Sequence, residues 1–234
     1  MNYKYFEAGN YEDLACGRVI VHRAGFPNFP VRLAGEIFMQ CLELTGKDKA
    51  VLCDPCCGGA YVLTVLGFLF GGRIEAIYAS DISPEAVALA QSNLGLLTPQ
   101  GLERRKAQLI EMREAFGKQS HLDAIESAER LKKMLRPIAS TTFQADIMDE
   151  DALAGADFKT DIVFADVPYG NLANWSESDA SLDRLLCAVR PVLANGAVIA
   201  LCSDKGQKVQ GDQFRHVRKI LVGKRRIEIL QKVA

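Results

Sequence analysis

The feature that most constrains this chain is the stretch from Ala50 to Ala60, Ala-Val-Leu-Cys-Asp-Pro-Cys-Cys-Gly-Gly-Ala. An apolar run ends in an acidic residue, turns through glycines, and continues into a second apolar run, Tyr61 to Phe70, that can be helical. Strand, glycine turn and helix in that order open a nucleotide-binding α/β fold, because the glycines let backbone and ligand approach closely. Many α/β proteins carry such a turn and bind nothing there. Its meaning therefore depends on the residues at the ends of the later strands.

A second strand is expected over Ile74 to Ser80, ending at Asp81. Asp81 lies 22 positions past Gly59, close to the spacing of about 20 expected for a carboxylate that hydrogen-bonds a ribose. Ser83 and Pro84 then open a helix to Asn93, with Ser83 as N-cap. A third strand, Thr141 to Ala145, ends at Asp146, and a fourth, Asp161 to Ala165, runs into Asp166-Val-Pro-Tyr-Gly170. The first three strands each end in Asp, which places Asp54, Asp81 and Asp146 at one level. In open α/β sheets ligands bind outside the carboxyl ends of the strands, so a shared crevice is expected.

A helix from Ser181 to Val189, a turn at Asn195-Gly196 and a fifth strand, Ala197 to Cys202, complete this pattern. Phe214 to Ala234 reads as two strands around Val222-Gly223-Lys224, an antiparallel hairpin. Ahead of the first turn, Arg18 to His22 reads as a β-like run and Phe26-Pro-Asn-Phe-Pro30 as a rigid aromatic loop. Val31 to Leu44 has helical spacing closed near Gly46. The N-terminal segment is either a lead-in strand with a packing helix or a lid in which Arg32 faces an anion.

At 234 residues, 49% of them apolar, the chain is read as a single domain over 1–234. It carries an N-terminal extension and lead helix, 1–46, and a helical insertion, 98–137. The net charge of −1 argues against a generic nucleic-acid binder, so any basic surface is local. The insertion holds nine basic residues, Arg104, Arg105 and Lys106 among them, against six acidic ones. It is either a solvated, internally paired helical hairpin or a substrate-recognition element. From Lys205 onward nine basic residues, including Lys224, Arg225 and Arg226, face only Asp212 and Glu228.

The seven cysteines are odd in number, scattered and mostly set in apolar runs, as buried reduced thiols would be. The N-terminus lacks an apolar signal core, and no apolar run reaches the roughly 20 residues needed to span a bilayer. A soluble, cytoplasmic, monomeric protein with no membrane partner is expected.

Together these motifs resemble a class I S-adenosylmethionine-dependent methyltransferase over about residues 48 to 204 plus the closing hairpin. Asp54-Pro-Cys-Cys-Gly-Gly resembles the first motif of enzymes that methylate nucleic acid, and Asp166-Val-Pro-Tyr169 resembles the Asn/Asp-Pro-Pro-Tyr/Phe motif of enzymes that methylate exocyclic amines. Phe-Pro-Val-Arg-Leu-Ala at 29–34, Leu-Thr-Val-Leu-Gly at 63–67 and Phe-Gly-Lys at 116–118 narrow the likeness to the avilamycin-resistance 23S rRNA methyltransferase family.

The class I resemblance implies a Rossmann-like seven-stranded sheet with an antiparallel final strand. Asp81 with Ile82 would hold the ribose of S-adenosylmethionine, Asp146 with Ile147 the adenine, and Asp54, Cys57, Gly58 and Gly59 the methionine end. Asp166 and the Val167 carbonyl would accept hydrogen bonds from the target amine, Pro168 would fix the turn, and Tyr169 would stack on the extruded base. The narrower likeness implies a guanine of 23S rRNA, free or in the large ribosomal subunit, as substrate, and antibiotic resistance as an outcome. The exocyclic N2 is the expected acceptor. Arg32, Arg104, Arg105, Lys106, Lys224, Arg225 and Arg226 are the candidate RNA contacts.

The sequence departs from the pattern twice. Ala60 replaces a third glycine, tolerable at negative φ, and Val167 replaces the first proline of the amine motif.

Rival readings remain open. A nicotinamide-dependent oxidoreductase shares the turn and ribose carboxylate but lacks Gly-x-Gly-x-x-Gly and leaves Asp-Val-Pro-Tyr unexplained. A metal site on Cys53, Cys56 and Cys57 lacks a second pair at zinc spacing, and His22, His121 and His216 are far apart, so no metal is expected. A non-catalytic RNA-binding module would not need intact Asp81, Asp146 and Asp166. DNA base amines and protein glutamines are alternative acceptors.

Overall fold

The computed structural model describes residues 3–22, 29–167, 180–207, 209 and 213–232. Seven strands form one sheet in the order β3-β2-β1-β4-β5-β7-β6: β1 Ala50–Asp54, β2 Ile74–Asp81, β3 Ala139–Gln144, β4 Thr160–Asp166, β5 Leu193–Asp204, β6 Phe214–Val222 and β7 Arg225–Lys232. Strands β1 to β5 pair in parallel, and β7 is antiparallel to both β5 and β6, so it alone runs against the rest. Parallel strands are covered on both faces and read as unbroken apolar runs, as in Ile162 to Ala165, all fully buried.

One face carries α2 (Val31–Thr45), α3 (Tyr61–Phe70) and α4 (Pro84–Gly95), and the other carries α7 (Ala180–Val189). The short helix α1 (Glu12–Ala15) precedes α2. The sequence anticipates most boundaries within a few residues. Gly46 closes α2 in the left-handed region at φ 66, and the Ser83 Oγ caps α4 by accepting from the Ala86 amide at 3.2 Å. Gly223 makes the β6–β7 turn at φ 58.

Two expected elements differ. Asn195-Gly196 is not a turn but an irregularity within β5, where the partner of Thr160 is Leu193 and that of Ile162 is Val198. Arg18 to His22 is not a strand. Side chains from two helices satisfy its backbone instead: Asn93 accepts from the Val21 amide at 3.0 Å and donates to the Val21 carbonyl at 2.8 Å. Arg105 donates to the carbonyls of Val19 and Arg18 at 3.1 and 3.0 Å. Glu36, wholly buried on α2, does the same for the start of the chain, accepting from the amides of Lys4, Tyr5 and Phe6.

The insertion forms α5 (Pro99–Phe116) and α6 (Gln119–Met134), reversed at Gly117 with φ 62. Three of its nine basic residues are ion-paired, across its two helices or with the N-terminal segment. Lys132 pairs with Glu103 at 2.6 Å, Lys106 with Glu129, and Arg130 with Asp13 at 2.7 Å. Among the described residues Arg104, Arg113, Lys118 and Lys133 have no ion pair, so both readings of the insertion stay open.

Asn93 is fully buried and also donates to the Gly59 carbonyl at 2.8 Å, so three hydrogen bonds join α4, the glycine turn and the N-terminal segment. Asn93→Ala should leave those groups unpaired and destabilise the protein by about 2–3 kcal/mol. Thermal denaturation should show a midpoint lower by roughly 5–10 °C.

Candidate active site

The carboxyl ends of β1, β2 and β4 bring Asp54, Asp81 and Asp166 to one rim of the sheet. The turn after β1 is bound to the end of β2: the Cys57 amide donates to the Ser80 carbonyl at 2.8 Å, and the Gly58 amide to Asp81 Oδ2 at 2.8 Å. Asp81 Oδ1 accepts from the Ser83 amide at 3.0 Å, and Asp54 Oδ1 from the Cys56 amide at 3.0 Å. Gly58 sits at φ +53 with open space where a Cβ would point, whereas a Cβ on Gly59 would meet Leu89 at 2.7 Å. The first glycine faces open space, and the second lets α4 pack closely.

Ala60 departs from expectation. It lies at φ 52, ψ 32, in the left-handed region and not at negative φ. Its amide donates to the Cys57 carbonyl at 2.8 Å, and its carbonyl accepts from the Thr64 amide and hydroxyl at 3.0 and 2.8 Å. These bonds, with the start of α3, hold a conformation that costs an alanine about 1–2 kcal/mol.

The carboxylates are not equivalent. Asp54 is 4% exposed. Its carboxyl is pushed well above the usual range, chiefly by burial, with repulsion from Asp166 and Asp81 adding to it. Burial pushes Asp166 up to about 6, and the opposite charge of Arg225 keeps it from rising further. Among the described residues its buried Oδ1 has no hydrogen-bond partner. The Val167 amide extends the ladder by donating to the Cys202 carbonyl at 2.9 Å. Pro168 and Tyr169 lie outside the described residues.

Asp146 lies two residues beyond β3, exposed, and accepts from the Met148 amide at 3.0 Å. Ile82 is 59% exposed beside Asp81. The Ile147 side chain is buried in one cluster with Leu153 and Phe158. Burial first, and then Asp54 and Asp81, push the Cys56 and Cys57 thiols up, which makes them poor nucleophiles. Among the described residues no group of three or more His, Cys, Asp or Glu side chains is arranged to hold a metal ion.

The candidate RNA contacts divide. Arg104 and Lys224 are exposed. Arg32 is turned onto the N-terminal segment, donating to the Phe6 carbonyl at 3.2 Å with its guanidinium 4.2 Å from the Tyr3 ring centroid. Arg105 is engaged with the N-terminal segment, and Lys106 with α6. Arg226 is 8% exposed and donates to the buried Glu228 at 2.8 Å, because alternation along β7 turns it inward. Arg225 lies at the rim, its guanidinium 5.1 Å from the Phe29 ring centroid. Sequence reasoning misses two participants, Phe29 and Asn93. The signal for Asn93 is a polar residue at the apolar spacing of α4.

A parallel sheet ordered 3-2-1-4-5-7-6 with β7 reversed, and acidic residues at its carboxyl rim, defines a class I methyltransferase fold. A sequence-family profile described as rRNA methyltransferase AviRa matches residues 1–225, and the chain belongs to that family. The 23S rRNA (guanine(2535)-N(1))-methyltransferase of Streptomyces viridochromogenes is 39% identical over 227 residues, covering 91% of this chain and 88% of that protein. The solved structure of rRNA methyltransferase AviRa from the same organism superposes with a TM-score of 0.86 at 35% identity, covering 96% of this chain and 94% of that one. A Thermus thermophilus 16S rRNA N2 G1207 methyltransferase in complex with AdoMet and guanosine shares the fold, with a TM-score of 0.53 at 13% identity, covering 90% of this chain and 44% of that one.

A carboxyl group whose folded-state pKa lies above its unfolded value favours folding at low pH and loses that contribution as pH rises through the folded value. For Asp166, raised from 3.8 to about 6, the loss between those pH values is about 3 kcal/mol. Asp166→Asn should therefore be more stable than the parent at pH 8 and similar to it near pH 4. Denaturant titrations at the two pH values check this.

Proposed function

We propose that the protein transfers a methyl group from S-adenosylmethionine to N1 of a guanine in 23S rRNA, with Asp166 accepting the N1 proton. The observation that carries this reading is the Asp166 carboxyl group, desolvated, unpartnered at Oδ1 among the described residues and set at the end of β4. The acceptor atom comes from the relative's activity, named for guanine N1. It therefore replaces the exocyclic amine suggested by the Asp-Val-Pro-Tyr motif. Guanine N1 carries a proton, and its in-plane lone pair becomes available only when that proton leaves. A carboxylate with a raised pKa is a stronger proton acceptor than an ordinary one, which suits Asp166 to the task.

The rim suits an amino acid, a ribose and a base in sequence. Asp54, buried beside open space at Gly58, would ionise against an ammonium group. Asp81 keeps acceptor capacity on both oxygens for ribose hydroxyls after its two amide bonds. Exposed Ile82 offers apolar surface and exposed Asp146 an acceptor for an adenine. When bound, S-adenosylmethionine supplies an electrophilic methyl on its sulfonium. The Val167 carbonyl, Pro168 and Tyr169 would complete the pocket for the extruded base.

The N-terminal extension, the sheet and the insertion are taken as one domain. Seven free cysteines suit a reducing, cytoplasmic setting. Among the described residues no helix is long and apolar enough to cross a membrane.

Methyl transfer from labelled S-adenosylmethionine to 23S rRNA tests the role of Asp166. Asp166→Asn should lose at least about 100-fold in kcat/KM. The parent rate should rise with pH to a plateau above about 6, the range in which Asp166 ionises. Undiminished transfer by the variant would overturn the assignment.

Arg104→Ala and Lys224→Ala should each weaken rRNA binding and reduce its salt slope by about one. Arg226→Ala should instead destabilise the fold by roughly 3–5 kcal/mol, because the buried Glu228 would be left with only His216, 3.8 Å away, beside it. Filter binding over a salt series and thermal denaturation separate the two effects.

A further inference from the structure

Arg225 belongs to a strand remote in sequence from the Asp166 motif, yet three observations bring it to that motif. Asp166 pairs in register with Cys202 on β5, and Cys202 with Ile227 on β7, so Arg225 begins β7 at the same rim of the sheet, opposite Asp204. Two strand spacings, about 10 Å, separate β4 from β7, a gap that a long arginine side chain can largely cross. The guanidinium is also fixed in place: it lies 5.1 Å from the Phe29 ring centroid, and Phe29 meets Phe164 edge-on at 5.6 Å. Phe164 is two residues before Asp166 on β4, on the same face. A chain of Phe164, Phe29 and Arg225 thus delivers a cation to the neighbourhood of the desolvated carboxylate.

We propose that Arg225, held against Phe29, is the positioning residue that supplies the counter-charge to Asp166 during methyl transfer. The inference rests on the proton-accepting role of Asp166. Arginine suits the task because its planar cation can lie on an aromatic ring and remain charged in a partly buried site.

The other ionisable groups around Asp166 oppose ionisation or leave it unchanged. Asp54 from the end of β1 and Asp81 from β2 are acidic, and Cys56 in the turn and Cys202 on β5 are neutral thiols pushed up by burial. Arg225 is the one cation among the described residues that acts on Asp166 in the stabilising direction. Phe29 is 2% exposed, so the ring that carries the guanidinium is itself fixed in the core.

The test compares the parent, Arg225→Gln, Arg225→Lys and Phe29→Leu by two measurements. One is the pH profile of methyl transfer to 23S rRNA. The other is carbon-13 NMR titration of the Asp166 carboxyl, assigned by its loss in Asp166→Asn. Removing an opposite charge from a buried carboxylate should raise its apparent pKa by on the order of one unit. Arg225→Gln should therefore shift both the NMR midpoint and the acid limb of the rate to higher pH. Arg225→Lys should restore most of the shift, and Phe29→Leu should give a smaller one in the same direction. A folded Arg225→Gln protein with an unmoved Asp166 midpoint would overturn the proposal, and if that variant fails to fold, a Phe29→Leu protein with reduced activity and an unmoved midpoint would do so. If Asp166 titrates as expected but Asp166→Asn keeps full activity, the proton-acceptor reading fails while the pairing with Arg225 stands.

Discussion

Everything at this rim depends on holding carboxylates where water cannot solvate them. Asp54 is buried and Asp166 is half-buried with its Oδ1 shielded from solvent, and repulsion from Asp166 and Asp81 adds to the cost of ionising Asp54. Such groups oppose folding at neutral pH. They persist because the parallel sheet leaves their strands no alternative register: a one-residue slip would turn every apolar side chain of β1 and β4 to the wrong face. The fold supplies the stability, and the site gives up part of it to obtain a carboxylate that takes up a proton readily.

The peripheral segments serve the same end. The turn that faces the ligand rim is braced by Asn93, which also secures the N-terminal segment, while Arg105 from the insertion secures that segment from the other side. Glu36 and Arg32 tie the first residues of the chain to α2. Extension and insertion are thus buttresses of the turn and the rim, and Lys106, Arg130 and Lys132 are ion-paired within them. Exposed cations remain on the insertion and the closing hairpin, among them Arg104, Arg113, Lys118, Arg215, Lys219 and Lys224.

Much of this is legible in the sequence because it obeys local rules. Apolar runs ending in Asp mark the parallel strands and the rim, Ser83-Pro84 marks a helix start, and Gly117 and Gly223 mark the reversals. The failures are long-range. Arg18 to His22 has strand-like composition, but its partners are side chains 72 to 87 residues away, which no local pattern reveals. Ala60 is positive in φ because hydrogen bonds from both sides over-determine it. The inward direction of Arg226 depends on alternation relative to a core that the sequence does not locate. Arg225 stands out in the sequence only for its charge, whereas the register of β7 against β5 brings it to the site.

The central claim is that a desolvated Asp166 removes the proton from guanine N1. The most direct measurement is digestion of 23S rRNA methylated by the purified protein with labelled S-adenosylmethionine, followed by chromatographic and mass identification of the modified nucleoside. The account predicts 1-methylguanosine at a single position, and none from Asp166→Asn protein. N2-methylguanosine, or label confined to protein or DNA, would contradict it.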